Sequence, residues 1–171
     1  MPTYQEGGYS LEIDWSNFER LVGTLEGVPD RVCELTALDL ERSIKNELED
    51  SKYTGQLRAS WRADQNKGAE VMGGLFNVVT SHRGSIGAEW VVGSPLPRAA
   101  YLNDGTRPHC PPKAPIKKWA EFKGLPWFAV WKGICEHGTK ANPYIDRALE
   151  KTNREVPHFI NQAIDEMKAK L

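Results

Sequence analysis

A chain of 171 residues has room for one folded domain. With 40% hydrophobic and 26% charged residues it is not an intrinsically disordered chain, and a formal net charge of -1 argues against wholesale nucleic-acid binding while leaving room for a local basic rim. No apolar run approaches the roughly 18 residues that span a bilayer, and no signal-peptide pattern follows Met1, so cytoplasm-like surroundings without a membrane partner are expected. Cys33, Cys110 and Cys135 do not make a disulfide framework and are expected as reduced thiols.

Residues 1–14 carry Pro, Gly and Tyr without a period and read as a flexible N-terminal arm or a short edge strand. Residues 15–171 read as one α+β domain. Ser16 and Glu19 could form a capping box for a short first helix, which Gly27 and Pro29 interrupt. A longer helix follows from about Asp30 to Asp50, its apolar stripe running through Val32, Leu35, Ala37, Leu40, Ile44 and Leu48. Near Thr54 the period changes: Leu57, Ala59, Trp61 and Ala63 alternate with Arg58, Ser60, Arg62 and Asp64, predicting a strand with one buried face. Leu75–Thr80 and Gly87–Gly93 predict two more strands. A small antiparallel sheet of three or four strands would give the long N-terminal helix a surface to lie on.

The stretch Arg98–Arg107 reads as a corner. Tyr101 and Leu102 can anchor a helical turn that Gly105 ends at positive φ, sending Thr106–Pro115 outward as a Pro-stiffened arm. Short helices are predicted around Ile116–Ala120 and within Trp127–Cys135. Asn142 and Pro143 make an N-cap and N1 pair for a helix that Pro157 kinks or restarts, and C-terminal helices close the domain. Trp61 and Trp90 are expected in the core, with Trp15 possible beneath the first helix. Trp119, Trp127 and Trp131 are covered either by a neighbouring subunit or by a satellite core under the terminal helices.

Candidate chemistry is thin. His109, Cys110, Cys135 and His137 supply zinc-ligand types, but adjacent His109 and Cys110 rarely reach one ion and no Cys-x-x-Cys pair exists, so no metal or other cofactor is expected. A nuclease would need Asp104, His109 and Glu121 to converge, with Lys123 near by. No phosphate loop, nucleophile elbow or dinucleotide fingerprint occurs, and no catalytic residue is assigned.

Four segments carry a resemblance. Thr54-Gly55-Gln56-Leu57-Arg58-Ala59-Ser60-Trp61 follows a long helix; Gly87–Gly93 precedes Ala100-Tyr101-Leu102-Asn103-Asp104-Gly105-Thr106; Gly138-Thr139-Lys140-Ala141-Asn142-Pro143-Tyr144-Ile145 opens the closing helix. In order and spacing they resemble the HK97-type head–tail connector proteins of tailed phages, also described as neck, tail-completion or minor tail proteins. The resemblance spans about residues 15 to 165. It departs in the aromatic-rich Trp119–Gly138 region and at Asn103-Asp104.

The resemblance implies a structural virion protein without catalysis. Such a protein would be assembled in the host cytoplasm and would join or complete the tail at the head–tail interface as a subunit of a homo-oligomeric ring. Its partners would be adaptor or head-closure and tail-terminator proteins, with transient contact to DNA in the channel. An acidic N-terminal half and a basic Arg98–Lys132 segment could supply the two unlike faces a ring subunit needs. Candidate oligomer or partner contacts are Arg98, Tyr101, Gly105, Thr106, Arg107, Trp127 and Trp131. The alternatives are a metal-assisted nuclease or processing enzyme, and a monomeric assembly adaptor.

Overall fold

A computed structural model describes residues 3–5, 8–12, 27–49, 54–65, 76–81 and 89–169. The expected short first helix and Trp15 lie outside the described residues. The strands are β1 (Thr3–Gln5), β2 (Gly8–Glu12), β3 (Arg62–Gln65), β4 (Phe76–Ser81) and β5 (Glu89–Ser94). The helices are α1 (Val28–Glu47), α2 (Gln56–Ser60), α3 (Arg98–Asp104), α4 (Lys113–Phe122), α5 (Trp127–His137) and α6 (Tyr144–Lys168). The fold is α+β: a long N-terminal helix packed on a small sheet, followed by C-terminal helices. The sheet order is β1-β2-β4-β5-β3. Its pairs are antiparallel except β2 with β4, which run parallel, so the two strands within residues 1–14 extend the sheet at one edge.

The stripe on α1 buries Val32, Ala37, Leu40, Ile44 and Leu48, as its helical spacing requires. One half of the core joins Leu40 and Ile44 to Trp61, Val92, Tyr144, Ile145 and Ala148. The other joins Val28, Val32 and Cys33 to Phe159 and Ala163. α6 therefore runs back along α1, antiparallel to it, and ion pairs mark both ends. Arg31 Nε lies 2.7 Å from Glu166 Oε2, and Arg147 Nε lies 2.6 Å from Glu47 Oε2, with Lys151 also on Glu47. Midway, Thr152 Oγ1 donates to Asp39 Oδ2 across the buried interface (2.9 Å). Glu41 Oε2 accepts the Ala63 N–H of edge strand β3 (2.7 Å), satisfying a donor that could otherwise recruit another chain.

Three local expectations are corrected. Gln56–Ser60 is a helical turn, and the strand starts only at Arg62. Ala59 is exposed and Leu57 half-buried, so the alternation through Leu57 and Ala59 does not mark a buried strand face; Trp61, at the junction, is fully buried. Its ring meets Tyr144 edge-on at 6.0 Å between centroids. α6 is helical through Pro157, with no restart. The proline removes an N–H that would have served the Asn153 carbonyl, and Asn153 is exposed, where solvent can take that acceptor. The α6 cap falls one residue late, on Pro143, while Asn142 Oδ1 accepts from Arg147 Nη2 (2.8 Å).

Candidate interaction surface: a cross-linked helical arm

The corner forms as its sequence suggests, and its polar groups tie it to the start of α6. α3 buries Ala99 and Ala100. Asn103, also buried, turns its Oδ1 to accept the Ile145 N–H (3.2 Å), one of the first N–H groups of α6, which has no partner within its own helix. The Asn142 N–H donates to the Leu102 and Asn103 carbonyls (3.0 Å each), and Tyr144 Oη donates to Ala99 O (3.1 Å). Burial holds the Tyr144 hydroxyl well above its ordinary ionisation range.

Beyond the corner the chain leaves the body and returns through one doorway. Thr106 and Thr139 pair as an isolated antiparallel bridge: Thr106 N–H donates to Thr139 O (3.1 Å) and Thr139 N–H to Thr106 O (3.2 Å). Their hydroxyl oxygens lie 3.0 Å apart. Gly105 (φ 75°, ψ -176°) and Gly138 (φ 78°, ψ -160°) flank this bridge in a region of backbone space open essentially only to glycine. A Cβ on Gly105 would collide with Thr139 O and lie 2.8 Å from Ala141 N, and one on Gly138 would collide with Thr106 O and lie 2.8 Å from Arg107 C. The positive φ expected at Gly105 is present, with an extended rather than helical ψ.

Between the doorposts, α4 and α5 form an antiparallel hairpin whose helices pack on each other and make only scattered contacts elsewhere. Within them only Ala120 is fully buried. Pro115 sits in the first turn of α4, where its missing N–H costs nothing. At the other end Leu125 N–H donates to Ala120 O (2.8 Å) and Gly124 N–H to Glu121 O (3.1 Å), a Schellman stop that reverses the chain. Three links fasten the base. His109 N–H donates to Ile134 O (3.3 Å), Trp131 Nε1 donates to Pro111 O (2.9 Å), and Cys110 and Cys135 are joined in a disulfide with Cα atoms 4.6 Å apart.

The disulfide corrects the expectation of three reduced thiols: the hairpin brings together two cysteines that are 25 positions apart. Cys33 remains a free thiol inside α1, pushed up to about 11 by burial, and behaves as a small core hydrophobe.

The arm's surface is aromatic and basic. Phe122, Leu125 and Phe128 are 59%, 44% and 55% exposed around its tip. Phe128 meets Trp127 edge-on (5.7 Å) and stacks on Trp131 (6.1 Å). Lys113 Nζ lies over the Trp131 ring, 4.7 Å from its centroid. From Arg107 to His137 there are six cations (Arg107, Lys113, Lys117, Lys118, Lys123, Lys132) and two carboxylates (Glu121, Glu136).

The anticipated contact residues divide into three groups. Gly105 and Thr106 build the doorway, and Arg107 is exposed just outside it. Arg98 and Tyr101 are exposed on α3, and Arg98 Nη2 donates to Gln56 Oε1 (2.9 Å). Trp127 and Trp131 are half-buried within the hairpin, not in a satellite core under the terminal helices. Sequence reasoning passed over Phe122, Leu125 and Phe128. The signal available was their position in and beside Gly124-Leu125-Pro126, a helix stop with apolar residues where a solvated turn carries polar ones.

A cavity of about 560 Å³ lies between the end of α1, α2 and the near side of α4. Leu48, Leu57, Ile116 and Trp119 line it, with Arg58, Arg98 and Lys118 around them. Arg58 is already paired, with Glu49 at 3.0 Å and the Lys45 carbonyl at 3.1 Å.

Among the described residues, no three His, Cys, Asp or Glu side chains are grouped so as to hold a metal ion. Asp104 ends α3, His109 lies at the arm's base, and Glu121 is near its tip. No described helix is long and apolar enough to cross a membrane. The chain matches no family model, no curated protein and no solved structure.

Proposed function

We propose that this chain is a structural subunit of a phage neck, joining or completing the tail as one member of a homo-oligomeric ring, with the cross-linked arm as its contact to neighbours. One observation carries the reading: segments that resemble the neck proteins touch one another at a single corner. Trp61 of the first lies against Tyr144 of the last, Asn103 accepts from Ile145, and Thr106 pairs with Thr139. The arm between two of these segments supports the contact role, because it buries only one residue fully and presents exposed aromatic side chains of the kind enriched at interfaces.

Native mass spectrometry of the purified protein tests the reading. A single cyclic oligomer, incorporated into tailed particles at the head–tail junction, is the expected result. A monomer that cleaves DNA in a metal-dependent way would replace it with the enzyme alternative.

A further inference from the structure

We propose that the Cys110–Cys135 disulfide is a redox latch: a small thiol such as glutathione opens it, the arm loosens, and reoxidation closes it again while the body keeps its fold. The inference stands on the arm's own geometry and does not depend on the ring reading. Cys110 is exposed and Cys135 half-buried, so thiols in solution can reach the bond. Exposed disulfides are the exchangeable kind, whereas those sealed in a core resist reduction.

The latch joins two segments that little else holds together. Its sulfurs link residues 25 positions apart, at the base of the hairpin. Within α4 and α5 only Ala120 is fully buried, so the helices have little core to keep them paired. Beside the bond stand two hydrogen bonds, His109 N–H to Ile134 O and Trp131 Nε1 to Pro111 O, each a modest net stabiliser. The Thr106–Thr139 bridge lies outside the loop that the disulfide closes, so it remains when the bond opens. Neither cysteine belongs to the two halves of the body's core. Reduction is therefore confined to the arm, and the surface of Phe122, Leu125 and Phe128 loses its fixed shape.

The exchange uses two thiols. The thiolate of the first attacks Sγ of the exposed Cys110, the S–S bond breaks, and Cys135 leaves as a thiolate that takes up a proton. A second thiol then attacks the mixed disulfide, releasing Cys110 as a thiol and leaving the two small molecules joined as a disulfide. Two electrons pass to the protein, and the protons of the two thiols end on its two cysteines. The oxidised small disulfide runs the same steps backwards. Cys33, the third cysteine, is buried in α1 with its thiol pushed up to about 11, so it stays protonated and does not divert the exchange.

The test places the full chain in buffers of reduced and oxidised glutathione. Intact mass after alkylation counts the free thiols, and hydrogen exchange compares residues 113–137 with α1 and α6. Cys110 and Cys135 should be joined in the oxidised buffer and alkylated in the reduced one. On reduction the arm should lose protection on the order of 100-fold and regain it on reoxidation, with α1 and α6 unchanged. Cys110→Ser with Cys135→Ser should match the reduced parent in both buffers. Cysteines that never join, or a bond that yields only when the body unfolds, would overturn the proposal. So would an arm equally protected in both states of the parent, or one that still responds to the buffer in the double variant.

Discussion

The body and the arm of this molecule are stabilised in different ways. The body follows the usual rule for soluble domains: α1 and α6 bury complementary apolar stripes, the sheet adds Val91 and Val92, and the ion pairs of Arg31 and Glu47 mark the ends. The arm has no such core. Its helices bury one alanine fully, and its shape is kept by a disulfide, two glycines, a one-pair β-bridge and hydrogen bonds to backbone carbonyls. Covalent and backbone restraints fix a conformation without consuming side chains. They leave Phe122, Leu125 and Phe128 available outside, whereas a hydrophobic core would have drawn them in.

The comparison can be broken most severely from the body side. Trp61→Ala removes a fully buried ring that touches Tyr144 and should cost about 3–5 kcal/mol, seen as a large fall in the urea midpoint. Replacing Cys110 and Cys135 together by serine should cost about 2–4 kcal/mol, confined to the arm. Hydrogen exchange would then show residues 113–137 losing protection while α1 and α6 keep theirs. Equal loss in both regions would show that arm and body unfold as one unit.

Gly105→Val should cost about 1–3 kcal/mol through backbone strain, with further loss from the collision at Thr139. Its first symptom should be impaired assembly of a protein whose circular dichroism is unchanged, because the doorway aims the arm. A valine variant that assembles like the parent would separate the doorway from the contact.

The α1–α6 clamp gives a pH signature. The Lys151 ammonium and then the Arg147 guanidinium hold the Glu47 carboxyl below the usual carboxylate range. Its contribution is therefore complete above the unfolded value of about 4.3 and lost as the pH falls through the lower folded value. Urea midpoints followed from about pH 6 to about pH 3 should decline more steeply for the parent than for Glu47→Gln. The arm's exchange behaviour should not follow this decline. Smallest of all is the effect of Phe122→Ser on the monomer, within about 0.5 kcal/mol, since a ring 59% exposed contributes little to the fold.

The body was more legible in the sequence than the arm. The stripe from Val32 to Leu48 has only one helical reading, and Trp90-Val91-Val92 between turn residues has the composition of a central strand. Gly105 announced its backbone because an apolar helical turn stopping before Thr and Pro needs positive φ. Leu57-Arg58-Ala59-Ser60 misled because four alternating residues fit one helical turn as well as a strand, and the neighbours that decide the matter, the Lys45 carbonyl of α1 and Glu49 just beyond its end, both on Arg58, are distant in sequence. The disulfide was hidden for a related reason. Composition registers two cysteines 25 positions apart, but only the hairpin, set by the Schellman stop and the Thr106–Thr139 bridge, brings them together. The tip residues went unread because an apolar residue beside a turn predicts burial until the packing partner is found to be missing.

The most direct measurement is electron microscopy of the purified protein in particle images averaged without imposed symmetry. A closed ring, with each hairpin of residues 106–139 bridging to the neighbouring body, is the expected result. Single bodies with unengaged hairpins at every concentration examined would contradict it.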